Sequence, residues 1–197
     1  MKLYDLELSG NCYKVRLFAA LAGIPLERVP VDLLGGEHKR PPLITLNPWG
    51  EVPILEDGEV VLRDSQAILV YLARKTNALD WLPIEAAPMA EVMQWLSTAA
   101  DEIRNGPANA RLVEKFGVPL DKADTLRRSA RILPLLEAHL AQHRWLALDR
   151  PTIADCAVFP YVALAPEGGI RLETYPKIRQ WIGRMQELPG YIPMPCL

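Results

Sequence analysis

Near the N-terminus, Ser9-Gly10-Asn11-Cys12-Tyr13-Lys14-Val15 brings a hydroxyl, an amide and a thiol within four consecutive positions. The spacing Ser-x-x-Cys is that of a thiol redox motif whose first cysteine, usually the activated one, is replaced by serine. At the start of a helix the first N–H groups lack intrahelical partners and the dipole's positive end faces outward, so an anion formed there is stabilised. Serine is equally a frequent N-cap and cysteine a frequent buried filler. Two further groups place side-chain oxygens where helix starts need them: Asp64-Ser65, and the capping-box pattern Thr152-Ile153-Ala154-Asp155.

These residues need elements to hold them. A strand over Lys2 to Leu6 runs into Ser9 and then into apolar residues Val15, Phe18, Ala19 and Ala22 at helical spacing, which predicts a strand-to-helix elbow. Gly23-Ile24-Pro25 ends that helix, and Arg28 to Val31 reads as a second strand, completing a β-α-β start. Leu33 to Pro48, with Gly35-Gly36, the charged run Glu37 to Arg40 and Pro41-Pro42, reads as an irregular connection with one helical turn. Pro53-Ile54-Leu55 and Val60-Val61-Leu62 flank a turn at Glu56-Asp57-Gly58 and predict a hairpin, with Gly58 supplying positive φ. Asp64-Ser65 then caps a helix that packs through Ile68, Leu69 and Leu72.

Composition shifts near residue 76. The expected division is residues 1–77 as one domain, 78–85 as linker and 86–197 as an all-helical domain. Met89, Val92, Met93, Leu96, Ala100 and Ile103 form one expected apolar stripe; Leu126, Ala130, Leu133, Leu136 and Leu140 form another, which Pro134 should kink or break. A helix from Cys156 to about residue 165 follows the capping box. A last helix, Tyr175 to Leu188, carries Ile178, Trp181, Ile182 and Met185 inward, before a Pro-rich tail.

With 22 Lys and Arg against 24 Asp and Glu, the net charge is -2, which gives no broad surface for nucleic acid or anionic membrane. Cys12, Cys156 and Cys196 are too few and scattered for a disulfide framework. No apolar run reaches the roughly eighteen residues of a spanning helix, and no signal-like segment opens the chain. The expected compartment is the reducing cytoplasm. His139 and His143 have the i, i+4 spacing of a metal clip but no third ligand near in sequence, so a solvated helix face and no metal are expected.

Taken together, the elbow Ser9 to Val15, the run Asn47-Pro48-Trp49-Gly50-Glu51-Val52-Pro53-Ile54-Leu55, the cap Asp64-Ser65-Gln66-Ala67-Ile68 and the box Thr152 to Asp155 stand in the order of a known family. The sequence resembles the soluble glutathione S-transferase superfamily over nearly its whole length, with a bacterial serine/asparagine-type elbow. The resemblance implies α/β plus all-α: a thioredoxin-like βαβ-α-ββα domain followed by a C-terminal helical bundle. It implies a cis bond before Pro53, the cheap place for one, with Val52 offering its backbone to the cysteinyl part of glutathione. Glu51, Val52, Pro53, Asp64 and Ser65 would then be glutathione-binding. Ser65 would take the γ-glutamyl carboxylate at a helix start, Asp64 the ammonium, and His38 and Lys39 the glycyl carboxylate.

The resemblance leaves the sulfur's partner among Ser9, Asn11 and Cys12. Ser9 fits the serine-type classes and sits where cysteine-type classes carry their thiol; Asn11 fits relatives that place an amide near the sulfur. Tyr4 lies in the strand and does not fit a tyrosine-type site. Tyr13, Trp95, Asp101, Arg104 and Asn105 are second-substrate candidates that compete with core and dimer packing, and Asp101 or Glu102 is a candidate for reaching a neighbouring subunit's glutathione. The expected protein is a homodimeric glutathione transferase acting on a small electrophile, a peroxide or a disulfide, with glutathione as co-substrate and no metal. The alternative is a non-catalytic binding or regulatory protein on the same fold. An isomerase-type elbow, Ser-Ser-Cys, differs from Ser9-Gly10-Asn11-Cys12.

Overall fold

Strand β1 (Lys2–Asp5) lies inside a four-stranded sheet because its alternation sends Leu3 and Asp5 inward. It pairs in parallel with β2 (Glu27–Pro30), Leu3 opposite Arg28, after a crossover through helix α1 (Gly10–Leu21). The turn Glu37–Lys39 and the short α2 (Leu43–Leu46) fill the irregular connection. Strand β3 (Ile54–Asp57) then runs antiparallel to β1, Leu3 opposite Leu55, and β4 (Val60–Arg63) forms the edge, giving the order β2-β1-β3-β4. Gly58 turns the hairpin at φ 62°. Helix α3 (Ser65–Lys75) completes the thioredoxin-like βαβ-α-ββα half. This computed structural model describes residues 1–195, so Cys196 and the chain end lie outside the described residues.

The remainder is helical: α4 (Ala86–Thr98), a wide i→i+5 π-helix over Ala99–Ala108, α5 (Asn109–Phe116), α6 (Lys122–Gln142), α7 (Ile153–Ala163) and α8 (Pro176–Gln186). Helix α7 is the central post. Its capping box is complete: the Thr152 N–H donates to Asp155 Oδ2 at 2.9 Å and the Ala154 N–H to Thr152 Oγ1 at 3.2 Å. The Asp155 carboxylate also accepts from the Leu146 N–H and from Trp181 Nε1, tying α7 to the preceding loop and to α8. Between α7 and the sheet, α1 is buried on almost every side, which is why its sequence shows little polarity contrast.

The helical stripes depart from expectation at named positions. Pro134 does not break α6, which runs unbroken with Ile132, Leu133, Leu136 and Leu140 buried around it; that burial offsets the roughly 3 kcal/mol cost of an interior proline. On α6 the buried face one turn earlier is Thr125 and Ser129, with Leu126 only partly covered and Ala130 exposed. The cause is Gly106 of the π-helix: a Cβ there would stand 3.1 Å from the Ser129 nitrogen, a crossing too close for a leucine. Ser129 Oγ answers its own burial by donating to the Thr125 carbonyl at 2.8 Å. The π-helix likewise resets the first stripe, so Ala99 is buried and Ala100 exposed, and Met93 also faces out.

Candidate functional site

The elbow is built by capping and by guanidinium groups. Ser9 is the N-cap of α1, its Oγ accepting the Cys12 N–H at 3.2 Å. The carbonyls leading into it are all taken: Arg16 donates to those of Leu6 and Glu7, and Arg111 of α5 donates Nη1 to that of Leu8 at 2.9 Å. Arg16 is itself anchored on the buried Asp5, which also receives Arg28. A loop held this way presents the positive end of α1 in a fixed direction.

A second helix start faces the same space. Asp64 caps α3 by accepting the Gln66 and Ala67 N–H groups at 3.0 and 3.1 Å, from a backbone with φ 71°. Ser65, the first residue of α3, is 2% exposed, and its Oγ lies 3.5 Å from Asn11 Oδ1 of α1. Two positive helix ends therefore meet at Asn11 and Ser65.

Beside them is a cavity of about 280 Å³. Its floor is Glu51, Val52 and Pro53, with the Val52–Pro53 bond cis, and Asp64 closes one end. Arg104 of the π-helix reaches across from the helical half, its Nη2 3.4 Å from Glu51 Oε1. Three residues join the lining that sequence reasoning missed: Asn47, which holds the loop by donating to the Glu51 carbonyl at 2.8 Å, and Trp49 and Arg63, stacked 3.6 Å apart at the rim. Asn47 and Trp49 belong to the run Asn47 to Leu55 that leads into β3 and Arg63 directly precedes Asp64, so position along the chain was the available signal. His38 lies in the turn beside Gly50, its Nδ1 buried without a hydrogen-bond partner, and Lys39 is exposed next to it.

Other candidates are placed elsewhere. Cys12 is 0% exposed against Val31, Leu43, Val52 and Ile54, its Sγ accepting the Leu6 N–H, and burial pushes its thiol up to about 12, so it is not a reactive group. Tyr13 is a core residue whose hydroxyl donates to the Ile192 carbonyl at 2.6 Å. Trp95 packs its ring edge on His139, 4.8 Å between centroids, away from the cavity lining. Asp101 and Asn105 bond to each other along the π-helix. His139 and His143 stack at 4.4 Å, and no group of metal-ligating side chains occurs among the described residues.

A thioredoxin-like half carrying a cis-proline loop, joined to a helical half through α1 and α7, defines the architecture of glutathione S-transferases. The chain matches the family model "Glutathione S-transferase, N-terminal domain" over residues 8–75 and "Glutathione S-transferase, C-terminal domain" over residues 113–189. It is 32% identical to Glutathione S-transferase 3 of Zea mays, across 99% of this chain and 96% of that protein, and 33% identical to Glutathione S-transferase theta-2 of Homo sapiens, across 89% and 76%. The crystal structure of a glutathione S-transferase from Pseudomonas fluorescens superposes with a TM-score of 0.91 at 33% identity over 98% of each chain. Ure2p, in a structure in complex with glutathione, shares the fold at 21% identity with a TM-score of 0.84. The chain belongs to the glutathione S-transferase family.

Proposed function

We propose that this protein is a glutathione transferase that binds the tripeptide across the cis-proline loop and the starts of α1 and α3 and uses its thiolate as nucleophile. The observation that carries the reading is the meeting of two helix N-termini at Asn11 and Ser65, beside the Val52–Pro53 backbone and the Asp64 carboxylate. That set matches the charges of glutathione in order. The γ-glutamyl carboxylate takes the Ser65 N–H and hydroxyl at the α3 dipole, and the ammonium takes Asp64. The Val52 backbone pairs with the cysteinyl unit as a strand edge does, with Glu51 and Pro53 shaping the floor, and His38 and Lys39 hold the glycyl carboxylate. The sulfur then lies at the start of α1, where Ser9 and Asn11 and the helix dipole favour the thiolate. The thiol proton passes to solvent, sulfur bonds to the electrophilic carbon, and the leaving group departs with its electron pair. The same thiolate serves peroxide or disulfide reduction.

Residues 1–77 form the glutathione-binding domain and 86–197 the domain that covers the second substrate, with Arg104 at the cleft. The protein works as a cytoplasmic homodimer; Trp49, 63% exposed and stacked on Arg63, suits a subunit contact. Calorimetric titration of glutathione and its disulfide into wild type and Ser65→Ala tests the reading. Binding at micromolar to low-millimolar concentration, weakened about tenfold or more in Ser65→Ala, supports it. No binding of either form to the wild type overturns it, and binding without turnover of any thiol-reactive substrate leaves a glutathione-binding regulator.

A further inference from the structure

Ten of the eleven residues of α7 are buried; Tyr161 alone is partly open. It points at the elbow. A Cβ on Gly10, the first residue of α1, would stand 2.6 Å from Tyr161 Cε1 and Cζ, so the hydroxyl end of the ring occupies the space directly against that helix start. The Asn11 backbone N–H faces the phenol oxygen and favours its negative form. Lys14, one turn along α1 and 1% exposed, holds its Nζ 5.2 Å from the centre of the same ring. The charged neighbours from the other packed elements are Arg111 of α5 and Arg104 of the π-helix, and Cys12 is the remaining titratable group close by.

We infer that Tyr161 is a further catalytic residue, presented by the helical half, whose hydroxyl donates a hydrogen bond to the sulfur of glutathione held at the start of α1. The inference rests on the glutathione site proposed above and adds a donor to it. With the Asn11 N–H facing its oxygen, the phenol has its own proton to give to an acceptor beside the start of α1. The charges of Arg111 and Arg104 make that proton more readily shared. Burial nevertheless keeps the phenol up at about 12, so the group is a neutral donor throughout the working range and never competes with glutathione as a base. No bond to Tyr161 forms or breaks: the thiol proton goes to solvent and Tyr161 shares its own with the resulting thiolate. Gly10 is then a functional glycine, since any side chain there would push the ring out of place.

The test is Tyr161→Phe, which removes one oxygen and keeps the ring that packs on Gly10. Glutathione bound to each protein is titrated with pH by its ultraviolet thiolate absorbance, while S-methylglutathione, which has no thiol, reports affinity alone. The expected result is a rise of about one unit in the apparent thiol pKa of bound glutathione and a fall of about tenfold in kcat below that pKa. S-methylglutathione affinity and the melting temperature should stay at wild-type values. An unchanged thiol titration in Tyr161→Phe overturns the role of Tyr161 and leaves the glutathione site standing. A packing role would instead appear as lower melting temperature or affinity with an unmoved thiol titration. Failure of wild type to bind S-methylglutathione or glutathione overturns both.

Discussion

Arg111 of α5 donates Nη1 to the carbonyl of Leu8, the residue immediately before the N-cap of α1, at 2.9 Å. The helical half thus holds the backbone of the elbow directly, and Arg111 is 2% exposed where it does so. Its Nε pairs with Glu167, which Lys115 also reaches, so two cations share one carboxylate.

Replacing Arg111 with Met should therefore cost about 3 kcal/mol of stability, the low end for breaking a buried pair, because Glu167 retains Lys115. Denaturant unfolding measures this. Glutathione affinity should fall as well, since Leu8 and with it Ser9 lose their anchor; an elbow unaffected by the change would bind glutathione as the wild type does.

Gly168 sits under the same helix. A Cβ on it would come within 2.8 Å of the Arg111 nitrogen and 2.9 Å of the Ala110 carbonyl carbon, both backbone atoms that cannot swing aside. Gly168→Ala should destabilise by about 1–3 kcal/mol through overpacking. Combined with Arg111→Met the losses should be less than additive, because both act on the seat of α5.

Lys14 gives a pH signature. Burial lowers its ammonium from 10.5 to about 7, with Asp64 opposing and Arg104 reinforcing that shift. Between those values the unfolded chain carries a proton that the folded one lacks, so the lysine's contribution to stability rises with pH, by at most about 1.4 kcal/mol per unit. Below about 7 both states are charged and the folded state bears the full desolvation cost. Lys14→Met should be more stable than wild type near pH 6, with the advantage shrinking towards pH 10, in urea melts across that range. A constant difference would remove Lys14 as its source.

Asp155 is fully buried and accepts the N–H groups of Thr152, Leu146 and Trp181. Asp155→Ala strands all three donors and should cost about 3–5 kcal/mol. The fluorescence of Trp181 should change before global unfolding, since its indole loses its only side-chain acceptor among the described residues.

Local signals carried most of the fold. The Ser9 and Asp64 caps, the turn at Gly58 and the Thr152–Asp155 box each act within four residues of chain, and a linear reading reaches that far. What stayed hidden depends on partners far away. Thr125 and Ser129 are buried because Gly106 crosses close above them, and no periodicity in α6 announces that. Lys14, Tyr161 and Arg111 are far apart in sequence and converge only because α7 packs on α1 and Arg111 of α5 reaches the loop that precedes it. Tyr13, a second-substrate candidate in competition with core packing, is spent on the Ile192 carbonyl.

Cys12 carries one more consequence. Its sulfur is sealed beneath the sheet-facing side of α1 and its thiol is pushed up to about 12, so alkylating agents and peroxides have no resident thiolate to attack at the elbow. On the glutathione reading, the vulnerable sulfur is the one that arrives with the tripeptide and leaves with the product. Each encounter with an oxidant then consumes a replaceable molecule, and the catalyst itself emerges chemically unaltered.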